Sequence, residues 1–328
     1  MMQRIILFAG SFLIRQLAFA QAIDNTASFR MIDADKYVRL DYENDFFTKT
    51  DFYYTQGILL EMVNPSYKKF PLSKLLLTTK NGAASYGISL EHDAYTPRSL
   101  TNDNILYGDR PFAAAVFLKT FSFSNNKNQR YRLTSSLSTG VIGPAAGGYV
   151  VQRTIHRWLH ESAPKGWQYQ IRNDAVINYE VGMEKNIAHP AQFLIVNGFA
   201  NARAGSLNDK FSTGLVVLFG KMNSAITSVF APTQTTVPGV EKFNVHLYLQ
   251  PLINFVGYDA TLQGGVFNRT SVYTISPADI RRITLQGNYG LVMMLHSLYL
   301  EYFESVLTKE FDTGQSHFWG GVRVGVKL

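Results

Sequence analysis

The stretch Tyr37-Val38-Arg39-Leu40-Asp41-Tyr42-Glu43 sets Val38, Leu40 and Tyr42 against Arg39, Asp41 and Glu43. Alternation with a period of two places one set on each face of a β-sheet. The pattern recurs along the chain. Ile58, Leu60 and Met62 share one face, with Thr55, Gly57 and Glu61 on the other. Tyr86, Ile88 and Leu90 alternate with Gly87, Ser89, Glu91 and Asp93, and Tyr131, Leu133 and Leu137 with Arg132, Thr134, Ser136 and Ser138. Ile177, Tyr179, Val181 and Met183 oppose Asn178, Glu180, Gly182 and Glu184. The last stretch sets Phe318, Val322, Val324, Val326 and Leu328 against Trp319, Gly321, Arg323 and Lys327.

A soluble sandwich turns the apolar set inward, whereas a transmembrane barrel turns it outward to lipid and lines its lumen with the polar set. Segments near ten residues, aromatics at segment ends, and charges mixed with glycine on the polar face favour the barrel. Further strand-like runs near 112–123, 193–203, 211–221, 243–256, 260–275, 281–294 and 296–307 bring the candidates to twelve or thirteen. Bacterial single-chain barrels take an even number. The expectation is therefore an all-β chain, an antiparallel transmembrane β-barrel of about 12 strands.

Composition agrees. Charged residues make up 17% of the 328, below the roughly 25% usual in soluble proteins, while 23 Phe and 18 Tyr are present. Cysteine is absent, which excludes disulfides, thiolate metal sites and cysteine nucleophiles. In an exported chain that absence suits an oxidising Gram-negative envelope. Met1-Met2-Gln3-Arg4, an apolar run from Ile5 to Ile14 and Ala18-Phe19-Ala20 read as a signal peptide over 1–20, despite Arg15. The barrel then occupies 21–328. Without Arg4 and Arg15 the chain keeps 29 basic against 24 acidic residues, a net +5. No basic block points to nucleic acid, and attraction to anionic lipid headgroups suffices as a use for this charge. No later segment offers the roughly 18 uninterrupted apolar residues of a membrane-crossing helix.

One segment breaks the period. Gly147 to Ser162 places Val151, Ile155 and Trp158/Leu159 at helical spacing, with Gln152, His156 and His160 four residues apart on one stripe. This predicts a short helical interruption near 147–162, lying outside the bilayer or in the lumen. Asn44-Asp45 stands at the end of the first strand, and Tyr54-Thr55-Gln56-Gly57 opens the next. Two adjacent strand ends with an amide, a carboxylate and a hydroxyl can form a polar site at a sheet rim. Each residue alone also has a plainer reading. Asn44-Asp45 suits a turn, Thr55 strand packing, His156 a surface or capping position, and Trp167 an interfacial aromatic. Arg110 beside Asp109 suits a lumen ion pair, and His160 a solvated side chain.

Taken in order, Asn44-Asp45, Thr50-Asp51, Tyr54-Thr55-x-Gly57, Gly108-Asp109-Arg110-Pro111-Phe112-Ala113, Gln152-x-x-x-His156 and Gly166-Trp167-x-x-Gln170 resemble the outer-membrane lipid A 3′-O-deacylase family. The matched motifs run from about residue 40 to 175. Ala114 stands where the family pattern has glycine. The resemblance implies a calcium-dependent hydrolase of the Gram-negative outer membrane that removes 3′-O-linked acyloxyacyl chains of lipid A. It implies site residues Asn44, Asp45, Thr55, Gln152 and His156, with His156 as general base and Asp45 helping to hold Ca²⁺. It places substrate contacts in the 96–106 loop, with lipopolysaccharide and membrane lipids as partners, and a monomer is expected. The chemistry is consistent: with no cysteine and no G-x-S-x-G elbow, ester hydrolysis needs a base for water and charge stabilisation at the carbonyl. A histidine and a cation on hard oxygen ligands supply both. An esterase or phospholipase acting on another lipid, and a non-catalytic porin or adhesin, remain alternatives.

Overall fold

The computed structural model describes residues 24–50, 52–80, 82–160, 162–231 and 243–328. The expected signal peptide 1–20 and Asp51 of the Thr50-Asp51 pair lie outside the described residues. The strands are β1 (Tyr37–Asn44), β2 (Tyr53–Val63), β3 (Ala83–Thr96), β4 (Ala113–Asn126), β5 (Tyr131–Ile142), β6 (Asp174–Ala191), β7 (Leu194–Gly205), β8 (Asn208–Lys221), β9 (Phe243–Asp259), β10 (Ile283–Leu295), β11 (Leu298–Leu307) and β12 (His317–Lys327). Each pairs with its sequence neighbours, and β12 returns to β1 to close a 12-stranded antiparallel barrel. Closure leaves no unpaired strand edge, which a sheet inside a bilayer requires.

The alternation sets the wall as expected for a barrel. Leu40, Leu60, Leu90, Leu118, Leu249 and Val324 are exposed on the outer surface, while Arg39, Asp41, Glu61, Glu91, Lys119 and Arg323 are buried inside. These lumen charges pair: Arg39 with Glu61 at 2.8 Å, Lys119 with Glu91 at 2.8 Å, and Arg203 with Glu180 at 2.9 Å. Arg323 bonds Asp41, Glu43 and Glu301. No described helix is long and apolar enough to cross a membrane.

The candidate run 260–275 is not a strand. Asp259 caps the short helix α3 (Ala260–Gln263) by accepting from the Thr261 N–H. Gly264 then takes φ +83, and Asp174 accepts from the N–H groups of Phe267 and Asn268. A backbone bonded to side chains in this way has no ladder to join. Removing this run leaves the even number.

Residues 24–34 turn back into the lumen. Asn25 bonds Glu61, Ser28 bonds Glu184, and Arg30 forms an ion pair with Glu301 at 2.9 Å. Arg132 donates to the Thr26 carbonyl and His246 meets the Phe29 carbonyl, whose ring stacks on Tyr248 at 3.8 Å. The helix α2 (Ser224–Phe230) lies against the same end, and Asn223 donates to the Met31 carbonyl. Strand succession places both ends of the barrel at this rim. The connections after β1, β3, β5, β7, β9 and β11 gather at the other.

Candidate active site

That second rim carries α1 (Gly148–Leu159), the expected helical interruption. It packs against the wall and not in the lumen. Leu90 and Leu118 face outward, so His92, Ala94, Val116 and Ala114 continue the outer face toward the rim. Ala94, Leu100, Phe112, Ala114, Ala146 and Trp167 form a buried apolar cluster there. Gly148 at the start of α1 permits the approach: a β-carbon on it would stand 2.5 Å from Ala114 Cβ. The helix therefore lies on the outside of the barrel wall.

The placement of Thr55 departs from the sequence expectation. Alternation grouped Thr55 with the lumen-facing Gly57 and Glu61. A β-bulge between Tyr54 and Gln56 inserts one residue and shifts the register. Tyr54 points inward and donates to Asp93 at 3.0 Å. Thr55 and Gln56 both reach the outer side: Thr55 Oγ1 accepts from Gln152 Nε2 at 3.1 Å, and Gln56 Nε2 meets His92 Nδ1 at 3.4 Å.

A hydrogen-bonded chain then joins four elements. Asn44 ends β1 on its outer face, donates from Nδ2 to the Thr55 carbonyl at 2.5 Å, and accepts from the Phe46 N–H at 2.7 Å. Gln152 donates to Thr55 and accepts from Trp167 Nε1 at 2.7 Å. Thr55, Gln152 and Trp167 are all buried, so each amide group is fixed by its partners. Trp167, with a plainer reading as an interfacial aromatic, is 3% exposed and holds Gln152 in place. His156 stands one helical turn beyond Gln152 on the same stripe and is buried. Its Nδ1 lies 2.8 Å from the Ser162 carbonyl, which only accepts. Neutral His156 therefore carries its proton on Nδ1, leaving the lone pair on Nε2.

Asp45 follows Asn44 and opens a 3₁₀ turn, Asp45–Thr48. Its carbonyl accepts from the Thr48 hydroxyl at 2.8 Å and the Thr50 hydroxyl at 3.2 Å, and its side chain is buried. Among the described residues no three His, Asp or Glu side chains cluster as metal ligands. A cation here would take one carboxylate and complete its shell with neutral oxygens. Asp45 is the carboxylate of this turn and its polar neighbours in sequence offer oxygens, the Asn44 amide and the hydroxyls of Thr48 and Thr50, a donor chemistry that suits calcium rather than zinc.

Two residues of this outer face escaped the sequence reading, Gln56 and His92. Extending the Tyr86-Ile88-Leu90 face by one step reaches His92, and extending the Met62-Leu60-Ile58 face by one step reaches Gln56. Arg110 forms a buried ion pair as expected, but with another partner than the adjacent Asp109. It pairs with Glu310 and donates to Thr261 Oγ1 at 2.6 Å, while Asp109 instead takes Arg98 at 3.1 Å. His160 is exposed at the helix end, as expected for a solvated side chain. One cavity, lined by Asp41, Glu43, Asp93 and Lys119, belongs to the lumen. The barrel wall separates it from Asn44, Thr55, Gln152 and His156.

Residues 6–328 match the family model described as outer membrane protein LpxR. Among solved structures, LpxR from Salmonella typhimurium is similar over 89% of this chain and 100% of its own, with 18% identity and a TM-score of 0.70. The β domain of the Bordetella autotransporter BrkA covers 90% of this chain and 100% of its own, at 8% identity and a TM-score of 0.46. No curated protein matches the chain.

Proposed function

The chain belongs to the LpxR family of outer membrane proteins, and from that premise we propose that it hydrolyses the 3′-O-linked acyl esters of lipid A. The observation that carries this reading is the hydrogen-bonded chain Asn44–Thr55–Gln152–Trp167, with His156 one turn away, on the outer face of the barrel. An ester inside a leaflet lies alongside that face and cannot be reached from the lumen. The lumen itself is occupied by residues 24–34, an arrangement suited to a sealed barrel more than to a conducting one.

In the proposed reaction a water molecule attacks the ester carbonyl carbon and gives up a proton to His156 Nε2. The Ser162 carbonyl holds the ring by its Nδ1–H and supports the imidazolium that forms. The new C–O bond forms as the bond to the sugar oxygen breaks, and the proton passes from His156 to that oxygen. Fatty acid and a free sugar hydroxyl leave. Calcium held by Asp45 and neighbouring oxygens would polarise the carbonyl and stabilise the developing oxyanion. Gln152 and Thr55 register α1 on the wall, so that the base meets the ester at a fixed height.

The test is purified protein in detergent with calcium, incubated with lipopolysaccharide and read by mass spectrometry. Loss of 3′ acyl groups, reduced on the order of 10²-fold or more in His156→Ala, is the expected result. Unchanged product from that variant removes the proposed base. Fatty acid released from phospholipid in place of lipopolysaccharide would turn the assignment to a phospholipase.

A further inference from the structure

The face of α1 turned away from the wall has a composition of its own. Gln152 and His156 point to the barrel, while Val150, Arg153, Arg157 and Trp158 are exposed. Trp158 is 74% exposed and Val150 64%. On a helical wheel, Arg153 and Arg157 share one flank and Trp158 takes the other, with Val150 between them. Among the described residues neither arginine has a carboxylate partner, and Arg153 lies 5.8 Å from the Tyr149 ring. Two like charges four residues apart repel unless an anion bridges them.

We propose that this face is a lipid-binding surface for phosphate-bearing headgroups, with Arg153 and Arg157 on the phosphates and Trp158 and Val150 at the apolar edge of the leaflet. Three observations converge on that occupant. The helix lies on the outside of a lipid-facing wall, above the exposed belt that includes Leu60, Leu90 and Leu118. Its outward face pairs an indole with guanidinium groups, the combination favoured at membrane interfaces. Its charge complements an anionic lipid surface. The inference rests on the outer-membrane location and not on the deacylase reading. Seating the helix on headgroups would hold the Gln152–Thr55 contact at a constant depth in the leaflet.

Trp158 supplies the readout. The chain has 3 tryptophans, and Trp167 and Trp319 are buried, so subtracting the emission of Trp158→Phe isolates Trp158. The full protein would be reconstituted into phosphatidylcholine vesicles with or without phosphatidylglycerol, using brominated acyl chains, and challenged with iodide on both sides. In anionic vesicles the ratio of bromolipid to iodide quenching should rise about two-fold or more, and Arg153→Gln/Arg157→Gln should abolish the rise. Preferential iodide quenching in anionic vesicles would overturn the proposal. So would a ratio indifferent to phosphatidylglycerol or to the two arginines. The readout does not depend on hydrolysis, so loss of lipid A activity and loss of lipid contact are separable.

Discussion

Gln152 Nε2 donates to Thr55 Oγ1 at 3.1 Å, joining a helix outside the barrel to a bulged residue of its wall. The same Gln152 accepts from Trp167, so its amide is oriented from both ends. Gln152→Leu would leave the Trp167 N–H buried without a partner, at a cost of about 1–3 kcal/mol. That cost falls on α1 and not on the barrel ladders. Deacylation should drop by about ten- to a hundred-fold, with faster amide exchange in 148–159 and an unchanged barrel. Gln152→Glu retains an acceptor for Trp167 and should show the smaller exchange effect. Equal exchange in both variants and the parent would dismiss Gln152 as the fixing residue.

Gly148 and Ala114 make the second contact between helix and wall. A β-carbon at Gly148 would meet Ala114 Cβ at 2.5 Å and the Trp167 ring at 2.6 Å. Gly148→Ala should therefore lift the helix start, costing about 1–3 kcal/mol in overpacking. Activity should fall with little change in barrel melting. Adding Ala114→Gly should restore part of the activity, because it removes one of the two clashes. Failure of the double variant to exceed Gly148→Ala would assign the strain to Trp167 alone.

Ala114, which stands where the resemblance leads to an expectation of glycine, packs against Gly148. The sequence could show that Ala114 departs from the family pattern, but not that Gly148 supplies the missing space. The same limit applies along the wall. Period-two alternation identified the strands, since burial on one face forces every strand to repeat it, but the choice of a barrel over a sandwich came from segment length, end aromatics and charges mixed with glycine on the polar face. The run 260–275 misled because alternation does not reveal that Asp174 has captured the backbone of residues 267 and 268. Thr55 was placed on the lumen side for a related reason: one inserted residue reverses parity. Asn44, Thr55, Gln152 and Trp167 were legible as ordered motifs, yet only the bulge brings them together on the lipid side.

Asp45 is the one carboxylate of the proposed calcium set. Asp45→Asn keeps the size of the side chain and removes its charge. If Asp45 holds the cation, the calcium needed for half-maximal deacylation should rise at least about ten-fold. Calcium-protected melting, read by thermal denaturation with and without chelator, should shrink in the same variant. An unchanged calcium requirement would place the cation elsewhere.

Glu310 ties the loop after β11 to Arg110 in the loop after β3. Burial raises its carboxyl to about 7, Arg110 pulls the other way, and Asp259 adds to the rise. The folded form therefore holds a proton that an unfolded carboxyl, ordinarily near 4.5, has already lost. Protons bound in excess by the folded state make stability fall as pH rises. The contribution is complete below about pH 4.5 and is lost as pH climbs through about 7. Above that point a charged Glu310 stands beside both Arg110 and Asp259, and the loop should open more readily. Hydrogen exchange across 308–316 is expected to be slower at pH 5 than at pH 8 after correction for intrinsic rates (about 5 and about 8 bracket the transition). Glu310→Gln cannot ionise and should flatten that dependence while keeping a donor and an acceptor at the site. Protection that rises with pH in the parent would mean that Arg110 outweighs burial and holds the carboxylate charged throughout.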